Sequence, residues 1–211
     1  PVEVRNTLLG ETWVESGDAP EWQRLADRRE VFAATVPHLG LFLTAGADVQ
    51  KDRIEVDVWA WGRGLESWLV EHIVIPGGPE DPGAWDKLTA VLGRTWAHES
   101  GAVMQLSKLA IDTGYEAPAV YAWSRAAGYA QVTPIKGVES FNRSTPVSGP
   151  TFVDATIGGK RLRRGARLWT IAVSTFKAET YRYLRLERPS DEDRAVGVCD
   201  AAGTMHLPSW A

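Results

Sequence analysis

The sequence predicts an α/β domain built on one mixed sheet that is flanked by helices. Residues 41–75 contain strand-like runs separated by turn residues, the pattern of an antiparallel three-strand meander. Further along the chain, apolar residues at helical spacing alternate with short apolar runs, as in strand–helix crossovers that join parallel strands. Two of the apolar runs end in aspartate, where a buried strand would otherwise stay apolar.

The meander comes first in the predicted order of elements. Its strands are expected at 41–50, 53–62 and 66–75. Turn signals lie between them at Gln50–Arg53 and Gly62–Gly64, and Pro76–Pro79 ends the third strand.

Crossovers follow the meander. We predict a helix over 83–99, a fourth strand over 106–112, a helix over 115–128 and a strand over 131–137. After a loop over 138–150 comes a basic run, then a strand over 168–173 and a helix over 174–186 that Ser174 or Thr175 would cap. The last predicted element is a carboxyl-terminal β-hairpin over 196–208.

Residues 1–38 differ in composition from the rest. They mix glycine, proline and charged residues around one short helical stretch with few apolar positions. We interpret them as a linker packed on a neighbouring surface, and residues 39–211 as the folded domain. Because the chain begins with proline instead of methionine, we expect it to be a piece of a longer protein.

Composition excludes several classes of protein. Hydrophobic residues make up 44% of the 211 residues and charged residues 24%, as in ordinary globular domains. The single cysteine, Cys199, excludes a disulfide framework and a thiolate zinc site, so a reducing cytoplasmic setting is expected. No segment resembles a membrane span or a signal peptide. The net charge of −4 argues against non-specific nucleic-acid binding by the chain as a whole.

The two terminal aspartates, Asp48 and Asp112, are the main candidates for a functional site. Parallel neighbouring strands of an open sheet bring their carboxyl ends to one edge, where ligands usually bind. Two carboxylates at that edge are suitable for a hard divalent cation such as Mg²⁺. The alternative for Asp48 is that it caps the turn that follows its strand.

Seven short motifs, taken in order, resemble one protein family. They are Asn6–Trp13, Thr44–Gln50, Trp61–Gly64, Glu66–Trp68, Ile111–Gly114, Ile135–Gly137 and His206–Pro208. Together they resemble the carboxyl-terminal endonuclease domain of the lambda-type phage terminase large subunit, whose fold is RNase H-like. The resemblance implies a nuclease that cuts concatemeric double-stranded DNA in the cytoplasm of an infected bacterium.

In that family the nuclease follows a packaging ATPase domain in the same chain and works with a terminase small subunit and a portal. No phosphate-binding loop of the ATPase type occurs here, so the resemblance implies that the ATPase domain lies outside this sequence. Residues 1–38 would then be the linker that follows it.

The resemblance also implies hydrolysis with two divalent metal ions, Mg²⁺ or Mn²⁺, held roughly 4 Å apart. Asp48 and Asp112 match two of the family's metal ligands. At the third, an acid in relatives, this chain has Ser174. Glu179 or His206 could supply the missing ligand, or the second metal could bind weakly. For Glu179 the alternative is a solvated surface residue, and for His206 it is packing within the predicted hairpin.

Local charge points to a DNA contact. Residues 160–188 contain nine basic side chains and two acidic ones, although the whole chain is acidic. Beside a phosphodiesterase site they would follow a DNA backbone, and the alternative is a solvated face. The residues expected to bind DNA are Arg161, Arg163, Arg164 and Arg167, together with Lys136, which closes a strand at the same edge as the aspartates.

Two other functions remain open. An RNase H-like resolvase or integrase would share Asp48 and Asp112, but it would not explain the Asn6–Trp13 and His206–Pro208 motifs. A non-catalytic module that docks on DNA or on the portal would explain the serine at position 174. Metal-dependent cleavage distinguishes the docking module from the enzyme.

Overall fold

A computed structural model describes residues 22–139 and 145–211. The strands, β1 to β9, lie at Phe42–Val49, Arg53–Trp61, Ser67–Pro76, Thr95–Ala97, Val103–Asp112, Val132–Val138, Thr151–Ile157, Lys160–Ala172 and Met205–His206. The helices, α1 to α5, lie at Trp22–Asp27, Pro82–Leu92, Ala117–Ala127, Val173–Leu184 and Asp191–Ala195. A short 3-10 helix occupies Arg63–Leu65.

One mixed sheet organises the domain, with the strand order β7-β8-β6-β5-β1-β2-β3-β9. Strands β1, β2 and β3 form the antiparallel meander. The pairs β1–β5, β5–β6 and β6–β8 are parallel. This architecture confirms the predicted mixed α/β sheet and is consistent with an RNase H-like fold.

The core lies on one face of this sheet. Alternate residues of β1 are buried, starting with Leu43, and those of β2 follow the same period. They pack with Leu88 of α2 and Val120 of α3, both of which are fully buried. Because side chains alternate between faces, the residues of β1 between the buried ones, Asp48 among them, lie on the other face.

The helix predicted over 83–99 is too long. It ends at Leu92, and Gly93 forms its carboxyl-terminal cap. Residues Thr95–Ala97 instead form β4, which pairs antiparallel with β5 and buries Trp96. Trp96 had matched the helical spacing of the preceding residues, and its burial comes from a sheet contact that local periodicity does not reveal.

A strand was missed between the predicted loop and the basic run. Residues 151–157 form β7, and the basic residues 160–167 belong to β8, so that the two strands make a hairpin. Part of the predicted loop, residues 140–144, lies outside the described residues. Helix α4 begins at Val173 without a side-chain cap, so Ser174 and Thr175 lie within its first turn and do not cap it.

The predicted carboxyl-terminal hairpin does not form. Residues 191–195 are helix α5, and β9 pairs parallel with the start of β3, where Trp68 lies beside His206. A turn ends at Thr204, whose N–H donates to the Ala201 carbonyl at 3.1 Å, and the Gly203 N–H donates to the carbonyl of Gly64. The chain therefore returns to the edge strand of the sheet and does not pair with itself.

The described part of the predicted linker packs on the domain. Glu30 forms a parallel bridge to Pro208, and Val36 forms one to His98. Val36 is fully buried in the core. The Asn6–Trp13 motif lies outside the described residues, and in the part of the chain that is described no helix is long and apolar enough to cross a membrane.

Candidate active site

Asp48 and Asp112 lie side by side at the carboxyl edge of the sheet. Strands β1 and β5 are parallel neighbours, and their last paired residues are Ala47 and Ile111. Asp48 and Asp112 are the next residue on each strand, so both leave the sheet on the face opposite the core. Adjacent strands are about 4.8 Å apart, which places the two carboxylates within reach of a shared ligand.

Neither aspartate has a cationic partner among the described residues. Asp48 is exposed, and its Oδ2 accepts a hydrogen bond of 2.9 Å from the Gln50 side-chain amide. Asp112 is half-buried, and its Oδ2 accepts one of 2.9 Å from the Gly114 backbone N–H. Two adjacent carboxylates without a neutralising cation form a donor set that suits a divalent metal ion.

A third carboxylate, Glu55, extends this pair into a row. Glu55 is the antiparallel register partner of Asp48, so the row across β2, β1 and β5 reads Glu55, Asp48, Asp112. Its Oε1 accepts a hydrogen bond of 2.5 Å from Nε of Arg53, which also pairs with Asp52 at 3.1 Å. The hydrogen bond to Glu55 raises the pKa of Arg53.

Sequence reasoning missed Glu55, although a signal for it exists. The turn predicted at Gln50–Arg53 forms, and the Gln50 N–H donates to the Arg53 carbonyl. In a tight hairpin the turn fixes the register of both strands. Counting outward from that turn by equal steps places residue 55 opposite Asp48, on the same face.

The expected position of the third acid lies at the same edge. Ser174 lies in the first turn of α4, and its Oγ donates to the carbonyl of Glu139, just beyond β6, at 3.4 Å. Glu179 follows five residues later, about 7.5 Å along the helix axis, and accepts a hydrogen bond of 3.3 Å from the Tyr183 hydroxyl. Tyr183 in turn contacts the turn at Gly203, near the opposite edge of the sheet. Glu179 is therefore displaced from Ser174 along the helix, toward the side of the sheet formed by β3 and β9.

His206 is separated from the aspartates by the sheet. It lies beside Trp68, which pairs with Ala60, which in turn pairs with Leu43 at the start of β1. Leu43 precedes Asp48 by five residues, or about 16 Å of strand. The structure thus does not bring His206 together with Asp48.

His206 instead belongs to a buried charge cluster. Its Nδ1 lies 2.8 Å from Glu30 and its Nε2 lies 2.9 Å from Glu66, while its ring stacks on Trp68. Arg188 links Glu30 to Asp200. Among the residues that the structure describes, one group of three acidic or histidine side chains has ligand atoms within 4.8 Å of one another: Glu66, Asp200 and His206.

Hydrogen bonds and nearby positive charges lower the pKa values of two acids in this cluster. Burial raises the pKa of Glu30, but hydrogen bonds and charges from His206 and Arg188 outweigh it, so that the net pKa is lowered. The same competition between burial and its two arginines, Arg188 and Arg194, lowers the pKa of Asp200. The positive charges within the cluster already compensate these carboxylates.

Lys136 lies at the edge where Asp112 lies, but on the other face. Ile135 is the register partner of Asp112, and Lys136 is the next residue, so alternation points its side chain to the opposite side of the sheet. Lys136 is exposed.

The four predicted DNA-binding arginines lie on β8, upstream of the row of acids. Trp169 pairs with Ile135 and so continues the row, whereas Arg167 lies two residues and Arg161 eight residues before it. Arg161 is paired with Asp154 at 3.0 Å. All four side chains are exposed.

An open hollow lies beside the row of acids. It has a volume of about 500 Å³ and is lined by Lys51, Pro79, Tyr115 and Glu116, among others. Lys51 follows β1 and Tyr115 follows β5, so the hollow adjoins the edge that carries Asp48 and Asp112. Glu116, at the start of α3, has a φ of 47° in the left-handed region, an uncommon conformation that often occurs at functional sites.

Comparison with known proteins identifies relatives. The family described as "Terminase large subunit gpA, endonuclease domain" matches residues 2–211. The terminase large subunit of Escherichia phage lambda is 34% identical over 206 residues, which cover 97% of this chain and 30% of the relative. That of Enterobacteria phage P21 is 33% identical over 196 residues, 92% of this chain and 29% of the relative. The chain thus spans about 30% of the length of these relatives. No solved structure matches it.

Proposed function

Because this chain belongs to the family of terminase large subunit gpA endonuclease domains, we propose that it cuts double-stranded DNA in a reaction that depends on divalent metal ions. The row of carboxylates formed by Asp48 and Asp112, with Glu55 beside them, is the observation that supports this activity. Concatemeric viral DNA, cut at the start and end of genome packaging, is the proposed substrate.

The acids of the row fit a metal site by their chemistry. Their oxygens are hard donors of the kind that Mg²⁺ and Mn²⁺ prefer, and Asp48 and Asp112 have no neutralising cation among the described residues. Bound there, two divalent ions would lower the pKa of the attacking water and neutralise charge on the leaving oxygen.

The protein's own groups would orient these ligands. The Gly114 N–H fixes one oxygen of Asp112, and the Gln50 amide fixes one oxygen of Asp48. The other oxygen of each carboxylate is the one we assign to metal. Such outer contacts hold a ligand in the orientation that binding requires.

We assign the third carboxylate to Glu55, since position 174 holds a serine. Glu55 is one strand from Asp48, whereas Glu179 is displaced along α4 and His206 lies in a separate cluster. To bind metal, Glu55 would release Arg53, which keeps Asp52 as a partner. The Arg53 guanidinium thus balances the charge of Glu55 when no metal is bound.

The DNA contacts are assigned to basic residues of β8 and to one at the end of β6. Arg161, Arg163, Arg164 and Arg167 on β8 would contact the phosphate backbone, and Lys136 would contact it from the other face of the edge. We propose that the domain acts in the cytoplasm of the infected host cell, as part of a longer chain. Its proposed partners are a packaging ATPase domain in the same chain, a terminase small subunit and a portal.

Plasmid cleavage tests the proposal. The chain is incubated with supercoiled plasmid and Mn²⁺, Mg²⁺ or EDTA, beside Asp48→Asn and Asp112→Asn at matched purity. We expect nicking and linearisation that need metal and that both substitutions abolish. Cleavage that persists in both variants would place the active site elsewhere, and a parent that never cuts would refute the nuclease assignment for this chain.

One observation favours a second candidate function. In the described residues Asp48 and Asp112 form no converged group of three ligands with either Glu55 or Glu179, and Ser174 stands where an acid is expected. A domain that docks on DNA or on a portal without cutting would be expected to have such an incomplete set of metal ligands. It would bind duplex DNA in EDTA as tightly as in Mn²⁺ and leave plasmid intact. An RNase H-like resolvase, in contrast, would cut branched DNA in preference to linear duplex.

A further inference from the structure

Strands β7 and β8 extend beyond the rest of the sheet as a two-stranded arm. Strand β8 pairs with β6 through Trp169–Ala172 only, whereas its residues from Lys160 to Leu168 pair with β7 alone. We call residues 151–168 the basic arm. It carries five cationic side chains and one carboxylate, although the whole chain has a net charge of −4. The arm is therefore a local positive surface on an acidic protein.

Helix α3 fixes the base of the arm. Arg125 of α3 donates to the Gly165 carbonyl at 2.7 Å, and the Arg167 N–H donates to the hydroxyl of Tyr129, just beyond that helix, at 3.2 Å. The Tyr129 ring in turn lies 5.2 Å from the Arg167 guanidinium. These contacts give the arm a defined direction relative to the sheet.

Phe152 holds two arginines together on the arm. The guanidinium carbon of Arg164 lies 4.7 Å from the centre of its ring, and that of Arg167 lies 5.8 Å from it. The ring remains 49% exposed, so its burial does not explain its place in the fold. Two like charges beside one ring repel each other, and an anion bound between them would relieve that repulsion.

Asp154 forms an ion pair with a third arginine, Arg161. Its Oδ2 accepts a hydrogen bond of 3.0 Å from Arg161, and its Oδ1 accepts one of 3.0 Å from the Arg164 backbone N–H. Arg164 has a φ of 53°, in the left-handed region, so Asp154 also supports the bulge that turns Arg164 toward Phe152. The arm thus presents Arg164 and Arg167 while one carboxylate partly neutralises Arg161.

We infer that the basic arm binds the phosphate backbone of duplex DNA. In this interaction Phe152 is the positioning residue that aligns Arg164 and Arg167. Asp154 lowers the affinity for DNA because it pairs with Arg161. The inference rests on the proposed function, because it takes the DNA that is cut as the occupant. Planar guanidinium groups recognise phosphate oxygens through paired N–H donors, which favours a polyphosphate partner.

The position of the arm gives the length of DNA that it would cover. Trp169 continues the row of Asp48 and Asp112, and Arg167 and Arg161 precede it by two and eight residues. At about 3.3 Å per residue, the arginines extend from about 7 to about 26 Å from that row along the strand. This corresponds to roughly two to eight base pairs at about 3.4 Å each. The arm would therefore hold duplex on one side of the cut.

Equilibrium DNA binding in EDTA separates this inference from catalysis. Fluorescence anisotropy of a labelled duplex of about 30 base pairs is titrated with the full chain between about 50 and 200 mM salt. The variants are Phe152→Ala, Phe152→Tyr and Asp154→Asn, which keeps the acceptor for the Arg164 N–H. Leu162→Ala is the matched control, because Leu162 is a partly exposed apolar residue of the same arm and has no aromatic ring. Circular dichroism establishes that each variant is folded.

We expect Phe152→Ala to weaken binding about fivefold and to reduce the salt slope by about one, with Phe152→Tyr close to the parent. Asp154→Asn should tighten binding about threefold and increase the slope, since it frees Arg161. If Phe152→Ala behaves like Leu162→Ala while the parent binds duplex, the inference is overturned and the proposed nuclease is unaffected. A parent that binds an acidic poly-glutamate peptide more tightly than duplex would also overturn the inference. Loss of plasmid cleavage would bear only on the proposed function.

Discussion

Asp48 and Glu55 oppose each other across the hairpin of β1 and β2, as register partners on the same face. Like charges directly opposite each other in a sheet destabilise it unless a cation lies between them or beside them. Arg53 supplies that cation for Glu55, and Asp48 has only an amide donor. The pair is therefore a local electrostatic cost to the fold, of a kind that functional sites often retain.

The first prediction concerns the two central acids. Asp48→Asn and Asp112→Asn should each reduce plasmid cleavage by more than about 100-fold, because in the proposed mechanism each removes a ligand for metal ions that would stabilise charge in the transition state. Neither should lower the thermal midpoint, since each relieves repulsion between neighbouring carboxylates. Differential scanning fluorimetry in EDTA checks the second point, and a large drop in midpoint would mean that the acids have a structural role.

The second prediction concerns the third carboxylate. Glu55→Gln should weaken Mn²⁺ binding by at least about tenfold in isothermal titration calorimetry, with a parallel loss of cleavage. Asp57→Asn is the control, since Asp57 lies on the same strand and face but pairs with Gly46 instead of an acid. Equal metal binding by Glu55→Gln and the parent would remove Glu55 from the site without refuting the nuclease.

The third prediction uses the close approach of Gly114 to Asp112. A Cβ atom at Gly114 would lie 2.6 Å from Asp112 Oδ2, so Gly114→Ala must displace the carboxylate. We expect a loss of cleavage of about 10-fold to 100-fold with little change in stability. Gly93→Ala is the control, because its nearest neighbour would be 3.8 Å away. Similar cleavage rates for both variants would show that the orientation of Asp112 is not critical.

The fourth prediction concerns pH and the cluster around His206. The pKa of Glu30 is lowered in the folded protein by His206 and Arg188, despite partial burial. A lowered carboxyl pKa stabilises the fold above the unfolded-state pKa, near 4.5, and this contribution is lost as pH falls through the folded-state pKa. Glu30→Gln should therefore lower the free energy of unfolding by about 2 kcal/mol at pH 7, and by less below pH 4.

Urea denaturation at several pH values measures this difference. The titratable or charged groups that face Glu30 are His206 and Arg188, with Arg28 and Asp200 further out. A difference between parent and Glu30→Gln that stays constant from pH 7 to pH 3 would contradict the assignment of the effect to the Glu30 carboxylate.

Local pattern was sufficient to predict the strands that carry the aspartates. The apolar runs ending at Asp48 and Asp112 gave β1 and β5, and their parallel pairing is confirmed. The metal role of the two acids remains a prediction. The meander also formed where alternation and turn residues indicated it, because its pairings are between neighbours in sequence.

What the sequence did not reveal depends on distant contacts. Strand β9 pairs with Ser67 and Trp68, more than a hundred residues earlier, so its own residues resembled a local hairpin. Strand β7 follows directly on the loop residues that end at Pro150, and its antiparallel partner is the basic run, which carried no strand signal of its own. The separation of His206 from Asp48 follows from the same long-range pairing, and only the complete strand order shows it.

The short parallel bridges at Glu30 and Val36 have a mechanical consequence. Both connect the segment before β1 to other parts of the chain, one to Pro208 and one to His98. A pull on the chain at Trp22 would be resisted by the Glu30 bridge, by the ion pair between Glu30 and Arg188 and by the hydrogen bond between Glu30 and His206. Val36, six residues after Glu30, is fully buried in the core. Tension would thus be transmitted to the sheet directly, and residues 30–36 would act as a rigid connection instead of a flexible linker.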